Sequence, residues 1–255
     1  MDAKRPVPAP AGRENVEIQD QRAALVKVYL IVGWAALVLL AIVSGLVYRR
    51  VAVSHLIYEM EGQALAVAQP FVNRTWPEVR SFVRGAAELD VDVLRSSPAV
   101  TEIGEALGSL AEGLPVVGVK LYNQGGLIVY ATQAAEIGKT TTDPLVLEMT
   151  AGQWYGDGRR DARSDLVPVE SIAAGDASRR GTRLITTQVA LRRSNLRDVE
   201  GVLEIRQDAT ADVQRITRIQ WIAVGSMVAL VTLILAALYL RRRELGDRPT
   251  SAAHS

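Results

Sequence analysis

Asp157, Asp161 and Asp165 recur at four-residue intervals, and a set of carboxylates is what a hard cation such as calcium would need. Calcium loops place their ligands at alternate positions, however, and here Arg159, Arg160 and Arg163 are interleaved with the aspartates and neutralise them. The pattern reads as a solvated charged loop, and no metal is expected. Imidazole chemistry has little to work with, since the two histidines, His55 and His254, lie far apart in the sequence. The chain has no cysteine, which excludes disulfides and thiolate metal sites. Serine and threonine nucleophiles lack a histidine or lysine partner in any recognisable arrangement. No catalytic residue and no cofactor are expected, and the chain does not read as an enzyme. A formal net charge of +1 and the lack of a basic run interleaved with aromatics also argue against nucleic-acid binding.

The elements that would position any site begin with two apolar stretches. Residues 28–48 and 219–240 carry no charge, and each has roughly the 20 residues a helix needs to cross hydrocarbon. Tyr29 and Tyr48 bracket the first, and Trp221 and Tyr239 bracket the second, as interfacial aromatics do. The first is too long for the apolar core of a signal peptide and is closed by Arg49-Arg50 without a small-residue cleavage site, so it is read as a retained anchor. Lys4, Arg5, Arg13, Arg22 and Lys27 precede the first span; Arg241, Arg242, Arg243 and Arg248 follow the second. That balance places both termini in the cytoplasm and the intervening region outside. Ala41 with Gly45, and Gly225 with Ala229, have the small-xxx-small spacing of close helix contacts.

The domain plan is a disordered tail over 1–24, spans over 25–48 and 219–240, and a stalk helix over 49–75. A folded domain over 76–210 follows, then an exit helix over 211–218 lying beyond the domain's sheet, and a second tail over 241–255. In the stalk, Val53, Ile57, Met60, Ala64, Val67 and Phe71 are spaced by fours and threes. That seam serves either a second copy of the chain in a homodimer or the packing of one amphipathic helix on its own domain. Pro70 should kink or end the helix. Helices are predicted to start at Trp76-Pro77 and Ser97-Pro98, with Gly113 closing the latter. The period then changes to two over 117–122, and a turn at 123–126 leads to a second strand over 127–132. Asp143-Pro144 caps a short helix, and 183–191 and 199–206 are two further strands. Between that helix and the first of these strands, 155–182 is polar and aperiodic, either a flap or a functional loop. Helices followed by strands around one inserted helix predict an α+β fold on an antiparallel sheet.

Several segments resemble the extracytoplasmic PAS-like, Cache-type sensor region of bacterial histidine kinases and diguanylate cyclases. They are Asn73-Arg74-Thr75-Trp76-Pro77-Glu78, Val116-Val117-Gly118-Val119-Lys120-Leu121-Tyr122 with Gly125-Gly126, and Val129-Tyr130-Ala131-Thr132 with Ile137-Gly138-Lys139. Gly201-Val202-Leu203-Glu204-Ile205 and then Asp208-Ala209-Thr210 complete the set. The resemblance implies a small-molecule ligand held against the sheet, with Tyr122, Tyr130, Trp154, Arg180 and Arg183 as candidate contacts. It also implies an Asp208/Thr210 junction feeding a signalling helix. Family members carry an output domain after the second span; residues 241–255 are too short for one. The expected role is therefore a sensory accessory subunit in a bacterial inner membrane, with lipid, a second copy and a separate cytoplasmic or membrane signalling protein as partners. The alternatives are a scaffolding membrane protein using the domain for protein contacts, and the remnant of a sensor kinase.

Overall fold

The computed structural model describes residues 11–151, 162–168, 182–192 and 199–246. Two compact units are present, one formed by Met1–Arg50 with Thr217–Ser255 and the other by Val51–Ile216.

In the first unit, helix α1 (Ala11–Pro70) and helix α6 (Thr210–Gly246) supply two segments long and apolar enough to cross a membrane. The core helix of a soluble protein would bury such a segment. Here Leu39, Trp221 and Leu233 are each more than 60% exposed, as expected of a lipid-facing surface. Ala41 is buried, and a Cβ on Gly45 would lie 2.6 Å from Val224 Cγ2, so small residues let the two helices approach closely. Gly225 has open space around its Cα. Trp34 Nε1 donates to Thr232 Oγ1 at 3.2 Å across the same pair. Helix α1 already starts at Ala11, where an unstructured tail was expected; after Pro10 the sequence has no proline before position 70 and is rich in Ala, Arg, Glu and Gln.

The second unit is an α+β domain. Its apolar stripe continues through Met60, Ala64, Val67 and Phe71 to Trp76, Val79, Val83 and Ala86, all buried. One step in that series is five rather than three or four, from Phe71 to Trp76. At that step the chain forms a π-helical turn, Phe71–Thr75, in which the Trp76 N–H donates to the Phe71 carbonyl. Pro77 has no N–H, and its ring would crowd the carbonyl four residues back, so a widened turn relieves the helix just before it. Helix α2 (Trp76–Gly85) follows. The short α3 (Val91–Arg95), capped by the Asp90 side chain, was not anticipated. Helix α4 (Pro98–Ala111) starts and stops where Ser97-Pro98 and Gly113 predict, with Gly113 at φ +80°.

Strands β1 (Val116–Asn123), β2 (Ile128–Ala131), β3 (Ala162–Pro168), β4 (Arg183–Arg192) and β5 (Val199–Asp208) form one antiparallel sheet in the order β2-β1-β5-β4-β3. Strand β3 corrects the reading of 155–182 as aperiodic throughout, because 162–168 pair with β4 along their whole length. Leu121, Leu203, Ile205, Val189 and Leu191 lie with Phe71, Trp76, Val79, Ile103 and Leu107 in the main core. Helix α5 (Pro144–Thr150) contributes Val146 and Met149, and the Asp143 side chain caps it by accepting from Leu145 N–H at 2.9 Å.

Candidate ligand site

Register decides which side chains meet on the face of the sheet turned away from the main helical layer. Lys120 pairs with Glu204, Gly118 with Arg206, Glu204 with Gln188, Arg206 with Thr186, and Gln188 with Arg163. Because strand side chains alternate, these polar groups share one face while Leu121, Leu203 and Ile205 share the other. Over them lies a cavity of about 720 Å³. Its rim is the segment from Lys139 to Leu145, which runs along the free side of β2: Ile128 N–H donates to the Lys139 carbonyl at 2.9 Å, and Thr141 N–H to the Gly126 carbonyl at 2.9 Å. Gly138 makes the bend into this rim at φ +88°, where a Cβ would lie 2.7 Å from Val91 Cγ1.

The floor is a hydrogen-bonded polar cluster. Glu204, 2% exposed, accepts from Tyr122 OH at 2.7 Å on one oxygen and from Arg206 Nε at 2.7 Å on the other. Burial, then the negative charge and hydrogen bond of Glu204, push the Tyr122 phenol well above its ordinary range. Burial alone would lower the Arg206 guanidinium; the adjacent Glu204, together with Tyr122 and Glu136, outweighs it and holds Arg206 above its ordinary value. Lys120 Nζ pairs with Glu136 at 2.8 Å. Gln188 Nε2 donates to Asp143 Oδ2 at 2.9 Å, so one carboxylate both caps α5 and fixes a side chain of β4. Among the described residues no group of three or more potential metal ligands occurs.

Of the residues singled out from sequence, Tyr122 lies on the cavity floor. Tyr130 does not: it is opposite Leu121 in the register and packs on α4, where a Cβ on Gly104 would lie 3.0 Å from its ring. Arg183 is exposed at the start of β4, away from the cavity. Trp154 and Arg180 lie outside the described residues, as do Asp157 and Asp161; Asp165 is on β3, 3.7 Å from Arg163. The floor residues Lys120, Gln188, Glu204 and Arg206 escaped sequence reading. For Lys120 and Glu204 the signal was a charged residue between apolar neighbours inside a strand, whereas Gln188 and Arg206 each have one polar neighbour.

At the junction, Asp208 Oδ1 accepts from Thr210 N–H at 2.9 Å, which is the cap expected of a helix start. Thr210 Oγ1 also accepts from Arg183 N–H, and Ala209 N–H donates to the Arg183 carbonyl, both at 2.9 Å. The first turn of α6 is thereby fastened to β4. Val213, expected to lie beyond the core, is buried with Met60, Ile185 and Ala209 in a second apolar cluster. Met60, Ala64 and Val67 of the proposed dimer seam are likewise buried within their own domain, because the sheet supplies the apolar partner that the stripe needs; Ile57 packs on the second cluster and Val53 is half-exposed.

No protein-family model matches the chain, and no curated protein matches it. Solved structures that resemble it include the sensor domain of the histidine kinase DctB from V. cholerae, at 16% identity and TM-score 0.35, over 64% of this chain and 59% of that one. The DcuS sensor domain from E. coli matches at 13% identity and TM-score 0.30, over 55% of this chain and 98% of that one. The periplasmic domain of RsbU from Chlamydia trachomatis matches at 14% and 0.30, over 65% and 56%. The match thus spans about three fifths of the DctB and RsbU chains. Likeness of this degree transfers no ligand or activity.

Proposed function

We propose that the chain is a membrane-anchored sensory subunit, whose domain lies outside the cytoplasmic membrane with both termini inside. It binds a small polar molecule in the cavity and acts on a separate signalling protein. The observation that carries this reading is the position of the cavity floor on β5: Glu204 and Arg206 stand just before Asp208 and Thr210, where the strand ends and α6 begins. A ligand that shifts the floor therefore acts on the strand that leads into the exit helix. Small-molecule sites bring a few convergent polar groups together in a concave surface, and here they converge from three strands, with Ile128, Pro144 and Leu145 as the apolar part of the lining. Self-association is proposed to run through Val53, on the part of α1 that precedes the packed stripe.

The test uses the full-length chain in lipid nanodiscs. Small polar metabolites that bind the native state raise its unfolding midpoint, and Thr186→Trp, which sets a bulky ring among the floor residues, abolishes the rise while the chain still folds. A rise that survives Thr186→Trp would place binding elsewhere. With no native cysteine, single cysteines report topology directly. In intact cells an impermeant maleimide should label Asp165→Cys and not Ser251→Cys; the reverse pattern sinks the sensory reading. Val53→Cys should crosslink between copies and Ala64→Cys should not. Crosslinking at Ala64 would show that the stripe opens.

A further inference from the structure

We infer that the cavity receives a small molecule whose buried end is an uncharged or cationic hydrogen-bond donor, an amide, hydroxyl or ammonium, and not a carboxylate. This rests on the cavity being a ligand site, as proposed above.

Gln188 carries the inference. It is 3% exposed, lines the cavity, and its Oε1 has no hydrogen-bond partner among the described residues. The orientation of its amide follows from chemistry. Asp143 is an acceptor, its Oδ1 already takes Leu145 N–H, and its Oδ2 sits 2.9 Å from the Gln188 amide, so the nitrogen must face Asp143. The oxygen is then left buried and in need of a donor, a state that native proteins avoid. A carboxylate placed there would meet this oxygen and Asp143 together, acceptors against acceptors.

The charges around the cavity point the same way. Three of its four cations have carboxylate partners: Lys120 on Glu136, Arg206 on Glu204, and Arg163 near Asp165. Both oxygens of Glu204 are engaged, so Arg206 is held in place from within the chain. Lys139, exposed on the rim, is the cation without an ion pair among the described residues. The cavity therefore offers one place for an anionic tail at its rim and one acceptor at its floor.

The test titrates the full-length chain in nanodiscs with three sets of short-chain compounds of matched length: dicarboxylates, their monoamides, and ω-amino acids. Midpoint shifts are expected from the monoamides or the ω-amino acids, with apparent affinity falling about tenfold or more in Gln188→Met, which removes the acceptor. Lys139→Ala leaves the floor intact and should weaken the monoamides and ω-amino acids through their anionic tails; unchanged affinity there overturns the inference even if the methionine variant fails to fold. Shifts from dicarboxylates alone, or equal affinity in wild type and Gln188→Met, overturn the donor-end inference and leave the cavity a ligand site. No shift from any set overturns both.

Discussion

Leu203 and Glu204 are consecutive on β5, and both are buried. Leu203 belongs to the apolar core under the helices, whereas Glu204 holds Tyr122 and Arg206 beneath the cavity. The two faces of one sheet are thus built on different physics. The helical face gains stability roughly in proportion to the apolar area removed from water. The cavity face gains little from burial and depends on each polar atom finding its partner, so it is where a missing group leaves a need that a ligand can meet.

The largest effect should separate the faces outright. Leu203→Ala empties part of a close-packed core and is expected to cost about 2–5 kcal/mol. Thermal unfolding should show it, with Thr186→Ala on the opposite face nearly silent. Similar losses from both would mean that the cavity face is packed as tightly as the core. Glu204→Ala comes next. It leaves the Arg206 guanidinium without its anion, and since that side chain keeps 17% exposure we expect about 3 kcal/mol, at the low end for breaking a buried pair.

Tyr122→Phe is smaller and adds a signature in pH. Glu204 loses one donor, at about 1–3 kcal/mol near neutrality. A phenol raised in the folded state contributes stability that is fully present below its unfolded pKa of about 10 and is lost as pH rises beyond it. The variant should therefore lose less stability than wild type above about pH 10. Parallel curves would show that the phenol ionises as freely in the fold as outside it. Lys139→Ala, on the exposed rim, should change stability by less than about 0.5 kcal/mol, yet weaken an anionic ligand tail.

The same contrast explains what sequence alone could disclose. Strand β1 announced itself by period-two apolar residues, β4 and β5 by short apolar stretches free of proline, and α4 and α5 by proline at their starts, with aspartate before the latter. Strand β3 did not, because its alternation sets Ala162, Ser164 and Leu166 against Arg163 and Asp165, and small or polar side chains give a weak signal. The stripe on α1 was visible, but periodicity cannot say whether a second copy or the chain's own sheet will cover it. For the cavity, Lys120, Gln188, Glu204 and Arg206 come from three strands, and only strand order and register put them on one face. Tyr122 and Tyr130 looked alike as sheet aromatics. Their opposite destinations follow from a pairing that no local pattern encodes.

The π-helical turn at Phe71–Thr75 amounts to one inserted residue in an otherwise regular spiral. Each residue of an α-helix advances about 100° around the axis, so in a regular helix that extra residue would carry Trp76 off the stripe ending at Phe71, and the widened turn absorbs it and keeps both on one face. Deleting Asn73 alone would turn the step of five into the ordinary α-helical step of four, so the two stripes would stay on one face and only the widened turn before Pro77 would be lost. Substituting Asn73, which keeps the count, leaves that turn intact. A scan by single-residue deletion should therefore find this short stretch more tolerant than the regular turns on either side, where the same loss rotates one stripe by about 100° against the other.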